Sequence, residues 1–310
     1  MNKPNFYMMC GIPGAGKSTW IDAHKNELNT IVHSSDTIRL EMGDVNDQSK
    51  NNQVFQILHK RVKDDLRAGK NVIMDCTGLS RKNRISFLNE LNRIPCKKIC
   101  VLFATPFEFC CANNFARDRH VPDEAMCRMY KRFQTPWYSE GFDDIEIIWW
   151  NYDNTIGFEY DICNDIENWK GISHDNPHHS LSIGGHMIET CDYIKSKTND
   201  ARLITAALIH DCGKPYTKAF IDSNGNPCDY AHYYSHESVG GFLSLFYLRR
   251  MHPEWNNKDI LYVSLLINLH MRSHTAWKQS DKAKDKDTKL FGNDIIKDLE
   301  LLYEADLAAH

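Results

Sequence analysis

Two stretches of this chain combine residue types and spacings that can do phosphate chemistry. The first is GIPGAGKSTW, Gly11–Trp20, in which Gly11, Gly16, Lys17 and Ser18 fall in the spacing G-x-x-x-x-G-K-S. Glycines there let backbone N–H groups converge on phosphate oxygens, and the helix that follows presents its positive end. Gly11, Gly14, Ala15, Gly16, Ser18 and Thr19 would form the cradle for ATP. Lys17 would neutralise the β- and γ-phosphates and Ser18 would hold Mg²⁺. The second stretch is LIHDCGK, Leu208–Lys214, where His210 and Asp211 are adjacent.

Further residues extend each stretch. In SSDTIRLEM, Asp36 and Arg39 stand three apart at a helix start, hence on one face. The carboxylate can orient and deprotonate a hydroxyl, and the guanidinium can grip a phosphate in bidentate fashion. Asp36 as a helix cap beside an exposed Arg39 is the plainer alternative. Around His210 and Asp211, His186 lies in SIGGHMIET, His236 opens HESVGGF, His270 ends LLINLH and Asp306 sits in YEADLAA. Imidazoles and carboxylates on otherwise apolar helical stretches are costly to bury unless something pairs them. A divalent transition metal such as Mn²⁺, Fe²⁺, Co²⁺ or Ni²⁺ suits such a mixed donor set.

These residues need elements to position them. In the first half, Phe6–Cys10, Thr30–Ser34, Asn71–Asp75, Lys98–Ala104 and Ile145–Trp150 read as strands, with helices clearest at Asn52–Arg67 and Arg81–Arg93. Strands alternating with helices imply a parallel sheet covered on both faces, an α/β fold. From about Ser180 the pattern turns helical: Leu181–Lys195, Ala201–His210, His236–Arg250, Lys258–Met271 and Asp294–Ala309. Lys218–Tyr234, with Asn224-Gly225 at its middle, reads as a hairpin. Lys278–Lys289, rich in Lys and Asp, reads as a solvated loop. The expected division is a domain over 1–154, a linker over 155–172 and an all-α domain over 173–310.

Composition narrows the class. The chain has 310 residues, enough for about two domains at ~150 residues each. Its net charge of −4 gives no global basic field for nucleic acid, so any such contact must rest on local clusters. Eleven of the 15 histidines lie from His174 onward, which predicts different chemistry in the two halves. Eleven cysteines without a C-x-x-C fit a reducing compartment. With no long apolar run, the expectation is a cytoplasmic chain that does not engage membranes.

GIPGAGKSTW followed by SSDTIRLEM, NVIMDCTGLSRKNRISF and RDRHVPDEAMCRMYKRF resembles the kinase domain of phage polynucleotide kinase over roughly Asn5–Phe133. The resemblance implies Asp36 as general base for a 5′-hydroxyl and Arg39 on the neighbouring 3′-phosphate. It places Asp75 near Mg²⁺, Thr77 on the acceptor strand, and Arg117 or Arg119 in a lid over the transferring phosphoryl group. Arg84 faces a helix surface as readily as an acceptor. The order H…HD…H…H…D over Ser173–His310 resembles the HD phosphohydrolase superfamily. That resemblance implies a primary metal site of His186, His210, Asp211 and Asp306. His236 and His270 would hold a second metal or meet the scissile phosphate, and Lys214 would offset charge developing there. His178, His179 and His232 stay unassigned.

The pairing resembles bacterial HD–polynucleotide-kinase end-healing enzymes with the domain order swapped. It implies a 5′-kinase joined to a 3′-phosphatase or 2′,3′-cyclic phosphodiesterase. Nucleic-acid ends, RNA ahead of DNA, would be the substrate, and a nucleic-acid ligase the partner. Two other classes stay open: an HD nucleotide phosphohydrolase with a regulatory ATP-binding domain, and a binding protein built on a degenerate HD fold.

Overall fold

A computed structural model describes residues 3–45, 47, 49–150, 160–177 and 180–309. Contacts divide the chain into two compact units, Met1–Met129 with Pro136–Asn151, and Tyr130–Thr135 with Tyr152–His310. His178, His179 and the expected boundary at 154 lie outside the described residues.

The first unit runs β1 (Asn5–Cys10), α1 (Lys17–His24), β2 (Thr30–Ser34), α2 (Ser35–Glu41), α3 (Asn51–Arg67), β3 (Asn71–Asp75), α4 (Arg81–Glu90), β4 (Lys97–Ala104), α5 (Phe107–Phe115), α6 (Asp123–Tyr130) and β5 (Asp144–Trp149). The five strands form one parallel sheet in the order β2-β3-β1-β4-β5. Phe6–Met9 and Ile99–Ala104 are buried throughout, the continuous apolar run expected of strands covered on both faces. On α3, Val54, Leu58, Val62 and Leu66 recur every fourth residue and are all buried, so one stripe of that helix faces inward. The chain passes to one side of β1 for β2 and β3 and to the other for β4 and β5. The crevice beyond the carboxyl end of β1 is therefore the switch point where such sheets bind ligands.

The second unit holds α7 (Ile162–Trp169), α8 (Ile183–Lys195), α9 (Ala201–Ile209), α10 (Lys214–Thr217), β6 (Ala219–Ile221), β7 (Pro227–His232), α11 (His236–Met251), α12 (Asn257–Leu269), α13 (Met271–His274), α14 (Ala276–Gln279), α15 (Asp281–Phe291) and α16 (Asn293–Ala308). Helices α11 and α12 pack along one another at its centre and are buried nearly all round. Helix α8 packs on α9 and α16. The antiparallel ribbon β6–β7 adds a small β element to this helical unit.

Three expectations change. Lys278–Lys289 is not a loop but lies within α14 and α15. Charged residues cover its outer side, while Asp287 and Phe291 turn inward. Asp287 accepts from Arg272 Nε and Trp277 Nε1, each at 2.8 Å. Within the stretch read as linker, Ile162–Trp169 is a helix that buries Ile162, Ile166 and Trp169 and is capped by the Asp161 carboxylate. Helix α4 also ends at Glu90, short of the Arg93 expected.

Candidate functional site

The loop between β1 and α1 is held open by backbone conformation. Gly14 has φ +79° and Gly16 φ +90°, and a Cβ on Gly14 would sit 2.1 Å from the Cys110 carbonyl oxygen. Only glycine fits there. Gly11 N–H donates to Thr77 O (2.9 Å), Thr105 Oγ1 to Ala15 O (3.0 Å) and Asn113 Nδ2 to Gly14 O (2.9 Å), so the carbonyls of Gly14 and Ala15 are taken up by neighbouring side chains. Helix α1 begins after Gly16 with no side-chain cap, which leaves its first N–H groups to meet an anion. Ser18 and Thr19 stand exposed at that helix start. Lys17 Nζ bends back to Gly11 O (2.8 Å) and Ile12 O (2.9 Å). Burial lowers the Lys17 pKa, and Asp75 opposes the shift.

Asp75 ends β3 opposite Ser34 at the end of β2. Burial raises its carboxyl pKa, against the pull of Lys17. The cap of α2 is Ser34, whose Oγ accepts from Asp36 N–H (3.2 Å), so Asp36 is free of the capping role. Asp36 instead lies between two guanidinium groups, with Arg39 Nη1 2.9 Å from Oδ1 and Arg119 Nη1 3.2 Å from Oδ2. Arg39 is not the exposed arginine of the plainer reading. It is 8% exposed and donates from Nη2 to Asn51 Oδ1 at 2.6 Å. Of the two lid candidates, Arg119 reaches the carboxylate, and Arg117 is exposed. Thr77 contributes its carbonyl to the loop. Arg84 is no acceptor contact: it is 1% exposed, bridges both oxygens of Glu140 at 2.6 and 2.7 Å and donates to Gly78 O.

In the second unit the six expected residues converge from five helices and their ends, and all are buried. His186 Nε2 is 2.8 Å from Asp306 Oδ1, and His210 Nε2 is 3.9 Å from the same oxygen. Asp211 spans the cluster. Its Oδ2 lies 3.3 Å from His210 Nε2 and 3.6 Å from His186 Nε2, and its Oδ1 3.3 Å from His236 Nε2 and 3.7 Å from His270 Nε2. The ligand atoms fall into two triads, His186, His210 and Asp306, and Asp211, His236 and His270.

The protonation pattern favours a metal. Nδ1 of His186 faces Ala309 O (2.9 Å), that of His210 Ala207 O (2.8 Å), that of His236 Tyr233 O (2.8 Å) and that of His270 Ile267 O (2.7 Å). A carbonyl only accepts, so each Nδ1 carries the proton and each Nε2 presents a lone pair inward. His236 and His270 then aim two lone pairs at each other across 3.1 Å, an arrangement a cation relieves. His210 Nε2 and Asp211 Oδ1 are buried without hydrogen-bond geometry. The donor set and these orphaned atoms fit divalent metal. Burial opposes ionisation of Asp211, but the Lys214 ammonium prevails and holds its carboxyl well below the usual range.

Lys214 is not a surface residue: it is 5% exposed, with Nζ 2.6 Å from Asp211 Oδ2 and 3.3 Å from His174 Nε2. Close packing sets this turn, because a Cβ on Gly213 would meet His236 O at 2.1 Å. Sequence reasoning missed His174 as the partner of Lys214, and His274, whose Nε2 is 2.5 Å from Asp306 Oδ2. For His274 the available signal was its place four residues after His270. His232 stacks on Tyr234 in the ribbon, outside both triads.

Comparison with known proteins bears on the first unit. The chain is 24% identical over 165 residues to L-seryl-tRNA(Sec) kinase of Methanococcus maripaludis, covering 51% of this chain. It spans 63% of that relative's length. Among solved structures it is similar to a chain of the Pnkp1/Rnl/Hen1 RNA repair complex, at 19% identity and TM-score 0.37, over 42% of this chain and 43% of that one. It is also similar to a gluconokinase from Sinorhizobium meliloti 1021, at 13% identity and TM-score 0.36, over 48% and 84%. Among the described residues no helix is long and apolar enough to cross a membrane. Residues 6–136 match the profile of a family described as an AAA domain, and with the loop geometry this makes the first unit a kinase-like P-loop domain.

Proposed function

We propose that the chain is a two-activity enzyme of nucleic-acid ends, a 5′-hydroxyl kinase and a metal-dependent 3′-end phosphohydrolase. One observation carries the pairing: a complete phosphate loop with a carboxylate held by two arginines shares the chain with a buried cluster of two His/Asp triads.

In the kinase half, Gly11–Thr19 would hold ATP, and Ser18 and Asp75 would hold Mg²⁺, which when bound offsets phosphate charge. Asp36 takes the proton of the attacking hydroxyl. Arg39 and Arg119 already converge on Asp36, so a phosphate brought beside that hydroxyl meets two guanidinium groups without a large rearrangement. Lys17 leaves its two loop carbonyls for the β- and γ-oxygens.

In the second half, His186, His210, Asp211 and Asp306 would hold one ion, with His236 and His270 completing a second site through Asp211. Divalent metal at such a site polarises a phosphoryl oxygen and lowers the pKa of water. Lys214, fixed on Asp211 and His174, supplies positive charge where negative charge builds on the phosphoryl group.

The test incubates the purified chain with γ-labelled ATP, Mg²⁺, Mn²⁺ and an RNA bearing a 5′-hydroxyl and a 3′-phosphate. Label on the RNA 5′ end together with release of inorganic phosphate is the expected result. ATP hydrolysis without labelled RNA would show that the acceptor is another hydroxyl. Since a curated relative is named for seryl-tRNA, serine-charged tRNA is the control acceptor.

A further inference from the structure

One amide closes the segment that carries the two lid arginines. Asn114, the penultimate residue of α5, accepts from Val121 N–H at Oδ1 (2.9 Å) and donates from Nδ2 to Val121 O (2.8 Å). The two ends of the Phe115–His120 loop are thereby paired much as facing strand residues are. We infer that Asn114 is a positioning residue for phosphoryl transfer, its amide closing that loop so that Arg119 is held against Asp36. The inference rests on the kinase reading above.

Burial shows how much depends on this side chain. Asn114 is 2% exposed, while every other residue from Cys111 to Ala125 keeps contact with solvent. No apolar side chain therefore anchors the loop in the core, and the amide does so instead. Phe115 and His120 bring their rings to 6.2 Å across the loop, but both are exposed, so that contact buries little. A buried amide is costly to leave unpaired, which favours the closed loop. From this loop Arg119 reaches Asp36 Oδ2 with Nη1 (3.2 Å) and Val45 O with Nη2 (3.1 Å). The preceding side chain, Asn113, donates to Gly14 O (2.9 Å), so consecutive asparagines tie the phosphate loop and the lid to one helix. A guanidinium that offsets charge on a transferring phosphoryl group must be placed accurately, and an error of about 1 Å can cost about 10²-fold in rate.

The test compares the full wild-type chain with Asn114→Leu, which fills the space without donor or acceptor. Two quantities are read: kcat and KM for transfer from γ-labelled ATP to a 5′-hydroxyl RNA, and the rate of tryptic cleavage after Arg117 and Arg119, mapped by mass spectrometry. Asn114→Leu should lower kcat about 10²-fold, keep the KM for ATP within about three-fold and speed cleavage in the loop roughly ten-fold. The same change in an Arg119→Ala background should cost less than about three-fold in kcat, because the residue acts through that arginine. A full further loss there would assign Asn114 to packing and overturn the inference. Unchanged cleavage would overturn the clamp, and faster cleavage with wild-type kcat would overturn its positioning role. If wild type hydrolyses ATP without labelling RNA, the acceptor reading fails, and ATP turnover becomes the rate compared in the same variants. If wild type turns over no ATP, the kinase reading falls and takes this inference with it. Should Asn114→Leu fail to fold, Asn114→Ala replaces it with the same expected losses.

Discussion

Lys17 and Asp211 illustrate how much one side chain can control at each site. Lys17 has its ammonium on two loop carbonyls, so removing it takes away charge needed by the β- and γ-phosphates while the loop keeps its other three anchors. Lys17→Ala should reduce label transfer to a 5′-hydroxyl RNA by about 10³-fold or more, comparable to the loss of other charge-stabilising groups. Phosphate release from a 3′-phosphate RNA, measured on the same preparation, should stay within two-fold. Asp211 touches both triads, whereas His270 belongs to one. Asp211→Ala should therefore deplete both metal positions, and His270→Ala only one. Elemental analysis after dialysis separates the two outcomes, and equal metal content in both variants would contradict the bridging geometry.

At the scale of elements, the cluster depends on how closely α10 and α11 approach. Gly213 makes that approach possible, since a Cβ there would lie 2.1 Å from His236 O and 2.7 Å from Gly240 N, both backbone atoms that cannot swing aside. Gly213→Ala should destabilise the fold by roughly 1–3 kcal/mol, the usual cost of overpacking, and should lower metal content by displacing His236. Gly225 at the ribbon turn is the control. It has φ +86° with open space around its Cβ position, so Gly225→Ala carries only the backbone cost, about 1 kcal/mol, and leaves metal content unchanged. Urea denaturation of the two variants side by side measures the difference.

For the molecule as a whole, the two chemistries draw on different ligand sets. The phosphate loop and Asp75 offer oxygen donors suited to Mg²⁺, and the second cluster offers four imidazoles suited to transition metals. Treatment with a nitrogen-donor chelator, followed by return to Mg²⁺ and ATP alone, should abolish 3′-phosphate release and preserve 5′-labelling. Adding Mn²⁺ back should restore the first activity. Parallel loss of both activities would show that the second cluster also supports the kinase.

The phosphate loop was legible in the sequence because it is local: a few residues in fixed spacing between a strand and a helix dictate their own backbone. The strands followed for a similar reason, since apolar runs bounded by turn residues define them, and β2 and β3 fall within their expected limits. The six candidate metal residues could be named because a histidine or aspartate in an apolar helical stretch stands out. Their division into two triads, with Asp211 across both, could not be read, because it depends on where five separate helices place side chains far apart in the chain. Arg84 shows the same limit: its role as a buried clamp needs Glu140, which lies 56 residues away. Helix α15 was hidden by its own charge, and the contacts that hold it inward, Asp287 with Arg272 and Trp277, exist only once the chain has folded. Residue types thus announced the chemistry locally, and tertiary packing alone decided which side chains face one another, since burial and lone-pair direction belong to the folded chain.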